Sequence, residues 1–432
     1  MDAAVGRKIA FVALIAALAW FPINREFGIV WVPGYPDLQH RASFFLFDLP
    51  LAVLAVASVA YLAREVLQRR LGITLTLFLV LVALTIVSAS IDPSIRGLQA
   101  ELRLLGAFFI AFAVSRVAEG TPRTLALLCL GGAGALEAAL GLSQVLNEQT
   151  LGLIHLGEHP PLLRFGSELA PKGTFVHPYS LAGFSLIASM ASAAAFVRTA
   201  ARTWLVLAAF SAVPLGLTYS RAGLAAVLVA LAPLLFAAIL RRGRYLVVSV
   251  VLLVAIGVPA VATFDGWVSK AEKSTVADTD VAVAGRLTAM EDAAGFMFDE
   301  PFLGVGPGHY TLHLEKVLED DPVRRAAYAQ HSPEVLPVHN VILLFGAEVG
   351  LPAALVFVAL LGALGWRSGK TGAGAVALWA AYLPFLMFDA FPYTNPQGLA
   401  LTGVWIGVLE LLYRQRADWP EELRAGSSTA GG

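Results

Sequence analysis

The chain has 432 residues, 58% hydrophobic and 14% charged, with a formal net charge of −1. Soluble domains run to about 45–50% and 25%, and the mean hydropathy here is +0.73, so a soluble globule, a disordered chain and a collagen-like fibre are excluded, and no global charge attracts nucleic acid. The single cysteine, Cys129, lies in an apolar run, which leaves neither an intrachain disulfide nor a cysteine-built metal site.

A polytopic membrane protein remains. A membrane-crossing helix needs about 20 mainly apolar residues, and twelve stretches qualify: 8–22, 43–62, 72–90, 98–117, 124–146, 179–198, 203–219, 222–240, 245–264, 339–364, 371–390 and 397–413. The first also has the form of a signal peptide, with Arg7 and Lys8 before the run and Ala17-Leu18-Ala19 after it; it is read here as an uncleaved span.

Short loops after even-numbered spans carry Arg64, Arg69, Arg70, Arg116, Arg123, Arg198, Arg202, Arg241, Arg242, Arg244, Arg367 and Lys370. The positive-inside rule makes these loops, and both termini, cytoplasmic. Residues 1–264 thus hold nine spans with outward loops 23–42 and 147–178. Residues 265–338 form an outward helical insertion, 339–413 hold three more spans, and 414–432 form a cytoplasmic tail. The insertion contains thirteen acids against six bases, with helices expected over 286–298 and 308–330 and a turn at Pro301–Gly308.

Chemistry is expected on the outward side. His40, His155, His159, His177, His309, His313, His331 and His339 all lie in or beside outward segments, which argues against a cytoplasmic, ATP-driven site. His339 opens the run His339-Asn340-Val341-Ile342-Leu343-Leu344-Phe345-Gly346-Ala347-Glu348-Val349-Gly350. A helix N-terminus favours a neutral ring there, suited to accept a hydroxyl proton. A polar helix-start residue bonded to the loop fits the same spacing. Arg221, in Thr218-Tyr219-Ser220-Arg221-Ala222-Gly223, stands at an outward hinge where positive charge is not expected. Its planar fork suits a phosphate; snorkelling to headgroups is the other reading.

Gly285-Arg286-Leu287 opens a loop helix, and Pro301-Phe302-Leu303-Gly304-Val305-Gly306-Pro307-Gly308-His309-Tyr310 reads as a sharp turn, because no strand precedes it and no Gly-Lys-Ser/Thr follows. Gly173-Thr174-Phe175-Val176-His177-Pro178-Tyr179 precedes span six, with Pro178 at a helix start. His309 and His313 are four apart but lack a third metal ligand in sequence. Asp48, Arg103, Glu137, Glu348 and Asp389 fall within apolar stretches, where each needs a partner or a cavity.

In this order, the segments 173–183, 218–223, 285–286, 301–309 and 339–350 resemble the O-antigen ligase (WaaL) family, within its superfamily of polymerases and protein O-oligosaccharyltransferases. The resemblance covers about 40% of the chain. It implies an all-helical, C-type glycosyltransferase fold in the bacterial inner membrane with its active site facing the periplasm. It implies catalysis without metal, nucleotide or other cofactor. The implied donor is a glycan on undecaprenyl pyrophosphate, and the implied acceptor in the ligase case is lipid A–core oligosaccharide. His339 takes the place of the catalytic histidine, and Arg221 and Arg286 those of the pyrophosphate-binding arginines. His177, Tyr219, His309 and Asn340 are candidate substrate contacts. Where the superfamily often has Asn-Pro-Asn, this chain has His177-Pro178-Tyr179. A polymerase or a protein O-oligosaccharyltransferase would use the same donor, and a transporter or flippase would also have about twelve spans.

Overall fold

The structure, a computed structural model, describes residues 3–20, 23, 25–31, 41–91, 93–117, 121–160, 162–241, 243–272, 276–331 and 335–415. His40, Arg242 and nearly all of the 414–432 tail lie outside the described residues. The chain is a bundle of α-helices: α1 (Ala3–Trp20), α2 (Asp48–Leu67), α3 (Ile73–Ala89), α4 (Ile95–Phe112), α5 (Thr121–Asn147), α6 (Pro178–Thr199), α7 (Arg202–Leu217), α8 (Arg221–Arg241) and α9 (Arg244–Ala262). After them come α10 (Phe264–Glu272), α11 (Val276–Asp299), α12 (Tyr310–Asp320), α13 (Pro322–His331), α14 (Val341–Val349), α15 (Leu351–Thr371), α16 (Ala373–Phe388), α17 (Phe391–Thr394) and α18 (Pro396–Arg414).

Among the described residues seven helices are long and apolar enough to cross a membrane, and α3, α7 and α16 are shorter apolar helices. A belt of exposed side chains, including Val56, Leu228, Ile239, Val258 and Leu355, would face solvent in a soluble protein and faces hydrocarbon here. The chain is an all-α, multi-pass membrane protein.

The centre of the bundle is built from small residues. In α6 (Pro178–Thr199) almost every residue is buried, and Ser189 and Ser192 return their hydroxyls to backbone carbonyls of their own helix. Helix α18 lies against α4, where Gly403 and Gly407 meet Ala107 and Ala111; any side chain at either glycine would overlap that backbone. Apolar helices in lipid gain little from hydrophobic burial, so such close backbone approach supplies the packing.

One expected span is not continuous. Residues 339–364 form two antiparallel helices broken at Gly350, whose φ of 93° excludes a residue with a side chain. The Phe345 and Phe357 rings meet, tilted, at 5.0 Å across the pair. Helices α14 and α15 therefore fold back on each other at the break. The reason is Glu348: its carboxylate accepts the Gly308 and Tyr310 backbone N–H groups, and its carbonyl accepts that of Gly306. The glycine-rich turn thus bonds across the break.

The loop end departs from the expected helices in three further ways. Loops 23–42 and 147–178 contribute antiparallel hairpins, β1 (Glu26–Trp31) with β2 (Arg41–Phe45) and β3 (Leu163–Phe165) with β4 (Glu168–Ala170). Helix α10 extends the chain past span nine, and the helix expected over 308–330 is interrupted at Asp321-Pro322.

At the opposite end, arginines of the short loops tie helices together. Arg116 pairs with Glu65 at 3.0 Å and donates to the Arg70 and Leu71 carbonyls, and Arg367 pairs with Glu410 and Thr74.

Candidate active site

Three helices begin at one place near the loop end. His177 caps α6, its Nδ1 accepting the Tyr179 N–H at 3.2 Å. Ser220 caps α8 through the Gly223 N–H at 2.9 Å. Asn340 caps α14, its Oδ1 accepting from Ile342 and Leu343. Helix N-termini carry partial positive charge, so their convergence favours an anion.

Cations add to that field. Arg221 is the first residue of α8 and is exposed, its guanidinium 3.5 Å from the Lys270 carbonyl. Lys270, on α10, donates to the Tyr219 carbonyl and, at 3.3 Å, to the Tyr179 hydroxyl. Its ammonium lies over the Phe165 and Tyr179 rings. Burial, reinforced by Arg221, brings its pKa down to about 8. The Tyr179 hydroxyl also feels the charges of Asp389, Arg286 and Arg221, so Arg286, exposed on α11, belongs to the same cluster.

His339 borders this cluster, one residue before the α14 cap. Its ring donates to the Pro337 carbonyl, which leaves the second nitrogen as an acceptor. Burial lowers its pKa below the ordinary 6.5; Asp389 opposes the shift, Arg286 assists it and the Pro337 bond opposes it. Asp389, between α16 and α17, is held by the Phe391 N–H at 3.1 Å and interacts with His339 and Arg286. The arrangement presents an unprotonated imidazole beside a cationic pocket, with one carboxylate facing the ring.

His177 lies at the edge of the cluster. Burial, aided by Lys172 and Lys270, brings its pKa to about 4, so it is neutral and its ring packs on Tyr179 at 4.2 Å. The segment bearing it is fixed from α5, where Glu137 accepts the Thr174 N–H and hydroxyl and Gln144 bonds both Gly173 and Glu158.

The other candidate contacts are placed differently. The Tyr219 ring is fully buried between Phe165 and Trp267, and only its carbonyl turns to Lys270. Its φ of 51° makes the tight turn into α8. The Asn340 side-chain oxygen is occupied by its cap. His309 bonds Ser94 at the start of α4, and His313 stands edge-on to Phe296 at 4.7 Å, so both serve the docking of the glycine-rich turn and α12.

Sequence reasoning missed Lys270, Tyr179 and the pairing of Asp389. Lys270 had no signal beyond being one of the few bases of an acidic insertion. Tyr179 lay in a motif already singled out, and Asp389 was marked only by being an acid in an apolar stretch.

Residues 205–358 match the family model described as O-antigen ligase. No curated protein matches the chain, and no solved structure does. The matched stretch contains Arg221, Lys270, Arg286 and His339, whereas Tyr179 and Asp389 lie outside it. The chain is a multi-pass membrane protein that is similar to the O-antigen ligase family over residues 205–358.

Proposed function

We propose that this protein is an inverting glycosyltransferase that moves an O-antigen glycan from undecaprenyl pyrophosphate to a hydroxyl of lipid A–core oligosaccharide. The loop end faces the periplasm, the short arginine-bearing loops and both termini face the cytoplasm, and the bundle sits in the inner membrane. One observation carries the reading: Arg221, Lys270 and Arg286 gather around Tyr179, beside the half-buried, unprotonated His339.

The chemistry follows from the charges. The acceptor oxygen attacks the anomeric carbon, the bond from that carbon to the diphosphate oxygen breaks, and the diphosphate leaves with the electron pair. Three cations and the N-termini of α6 and α8 hold the charge that collects on the leaving group. The acceptor proton passes to the free nitrogen of His339, a contribution of about 10²–10⁴-fold. Asp389 then faces a full imidazolium, which it stabilises. Attack opposite the leaving group inverts the anomeric centre.

The test uses purified protein in detergent with undecaprenyl-pyrophosphate glycan, a chelator and no ATP, with lipid A–core supplied or omitted. Glycan on lipid A–core, formed only when that acceptor is present, is the expected product. Longer undecaprenyl-linked chains formed without lipid A–core would make the protein a polymerase, and a solute flux with no covalent product would make it a transporter.

A further inference from the structure

Glu348, 3% exposed near the end of α14, is an acid that the proposed transfer does not use. A carboxyl group so deep in an apolar bundle is costly unless its oxygens are occupied. Here they gather separate segments. One oxygen accepts the Gly308 N–H at 2.8 Å and the other accepts the Tyr310 N–H at 3.2 Å. The Tyr393 hydroxyl lies against the same carboxylate, and Arg96 of α4 faces it.

The two tyrosines reach to different charges. Tyr310 opens α12, and its hydroxyl donates to the Ala289 carbonyl at 3.0 Å. Ala289 follows Arg286 by three residues on α11, and Phe296 of that helix stands edge-on to the Tyr310 ring at 5.7 Å. Tyr393 belongs to the short helix α17, its ring 4.4 Å from that of Phe345 on α14. The chain enters α17 through Asp389, whose carboxylate accepts the Phe391 N–H. Helix α18 holds α17 independently, with Thr402 donating to the Pro392 carbonyl at 3.2 Å. Arg286 and Asp389 both act on the His339 ring, which stands just before the other end of α14.

We propose that Glu348 is a positioning residue: through Tyr310 it sets where Arg286 stands, and through Tyr393 where Asp389 stands, about the His339 ring. Its bearing on turnover rests on the transfer reading above, whereas its bearing on the ring does not. A carboxylate suits the task because its two oxygens take several donors at once, and such outer bonds fix the side chains that do chemistry.

The experiment reads the ring directly. Full-length protein carrying 13C-labelled histidine is titrated in detergent by NMR, and the His339 signal is identified by its loss in His339→Gln. Tyr310→Phe and Tyr393→Phe each remove one hydroxyl and keep the ring. Arg286 lowers the His339 pKa, so loosening it in Tyr310→Phe should raise the midpoint. Asp389 raises that pKa, so loosening it in Tyr393→Phe should lower the midpoint. A merely structural loosening would admit water and raise both. In Glu348→Gln, the displacement caused by adding Asp389→Asn should be smaller than in the unaltered protein by about 0.4 pH or more, the level at which coupled residues depart from additivity. Midpoints that stay put or move the same way in the two tyrosine variants, or an undiminished displacement in Glu348→Gln, overturn the assignment. Turnover with lipid A–core is measured alongside. If the midpoints part as stated while the unaltered protein transfers no glycan, the positioning stands and the transfer reading falls. If the unaltered protein transfers glycan while the midpoints do not part, the transfer reading stands and the positioning falls.

Discussion

Asp389 faces His339 across the seam where α16 ends and α14 begins, and each acts on the other's charge. One comes from a break between apolar helices, the other from the descending end of the acidic insertion. Their meeting sets the protonation of the ring on which the proposed transfer depends.

A histidine acting as base must be unprotonated, so activity is lost as pH falls through its pKa. Because burial lowers that pKa, the acid limb of kcat/KM should lie below 6.5. Asp389→Asn removes an influence that raises the pKa and should move the limb to lower pH. Arg286→Gln removes one that lowers it and should move the limb to higher pH. A limb that stays in place in both variants would mean that another group titrates. His339→Ala should bind donor and lose about 10²–10⁴-fold in turnover.

Lys270 supplies the opposite limb. Its pKa of about 8 means that the ammonium deprotonates within the working range, and its charge is lost as pH rises through that value. If the ammonium helps to hold the diphosphate, kcat/KM should decline with a midpoint near 8. Lys270→Arg should carry the decline out of range, since a guanidinium stays charged. A decline that persists unchanged in Lys270→Arg belongs to a different residue.

Arg221→Lys keeps the charge and discards the fork. Charge-assisted hydrogen bonds contribute about 1.5–3 kcal/mol each, so the variant should lose roughly ten- to a hundredfold in kcat/KM while melting as the unaltered protein does. Near-normal turnover would remove Arg221 from diphosphate binding.

Gly350→Ala probes the helix break. The substitution forces a side chain into a backbone conformation reserved for glycine, against the Phe302 backbone. A cost of about 1–3 kcal/mol should lower Tm and, by moving α14, lower turnover as well. Gly362→Ala, in the open interior of α15, is the control: no heavy atom lies within 4 Å of the added carbon. It should leave Tm equal or raise it slightly. Equal melting of the two variants would show that the break tolerates a side chain.

Much of the bundle was legible because apolar length is a strong signal in a membrane chain. Each of the twelve stretches read as spans overlaps a helix, although 339–364 is two helices and only seven helices among the described residues are long and apolar enough to cross; the glycine-rich turn joins loop helices as expected. The break at Gly350 was hidden because an apolar run looks alike whether straight or folded back; what folds it is Glu348, bonded to residues some forty positions earlier. Arg221 stood out as a positive charge at an outward hinge and His339 as the residue that opens a helix, whereas Arg286, a base in an acidic insertion, was marked only by the family resemblance. Asp389 stood out as an acid in an apolar stretch, but its partner lay fifty residues away. Lys270 did not stand out, since a base in a charged loop is ordinary until Tyr179 and Tyr219 close around it.

The position of α18 bears on how the chain is made. Every residue from Gln397 to Leu412 is buried, with α4 pressed against its glycines. A ribosome reaches this segment only after the helices that precede it have been released. Until then α4 and α6 wait in the bilayer with the slot between them unfilled, and the assembly has a wall but no axle. A chain halted before Pro396 would insert its earlier helices and still lack the axle that they pack around. Arrival of α18 is therefore the step that consolidates the bundle, and nascent chains stalled short of it should be the form most open to membrane proteases.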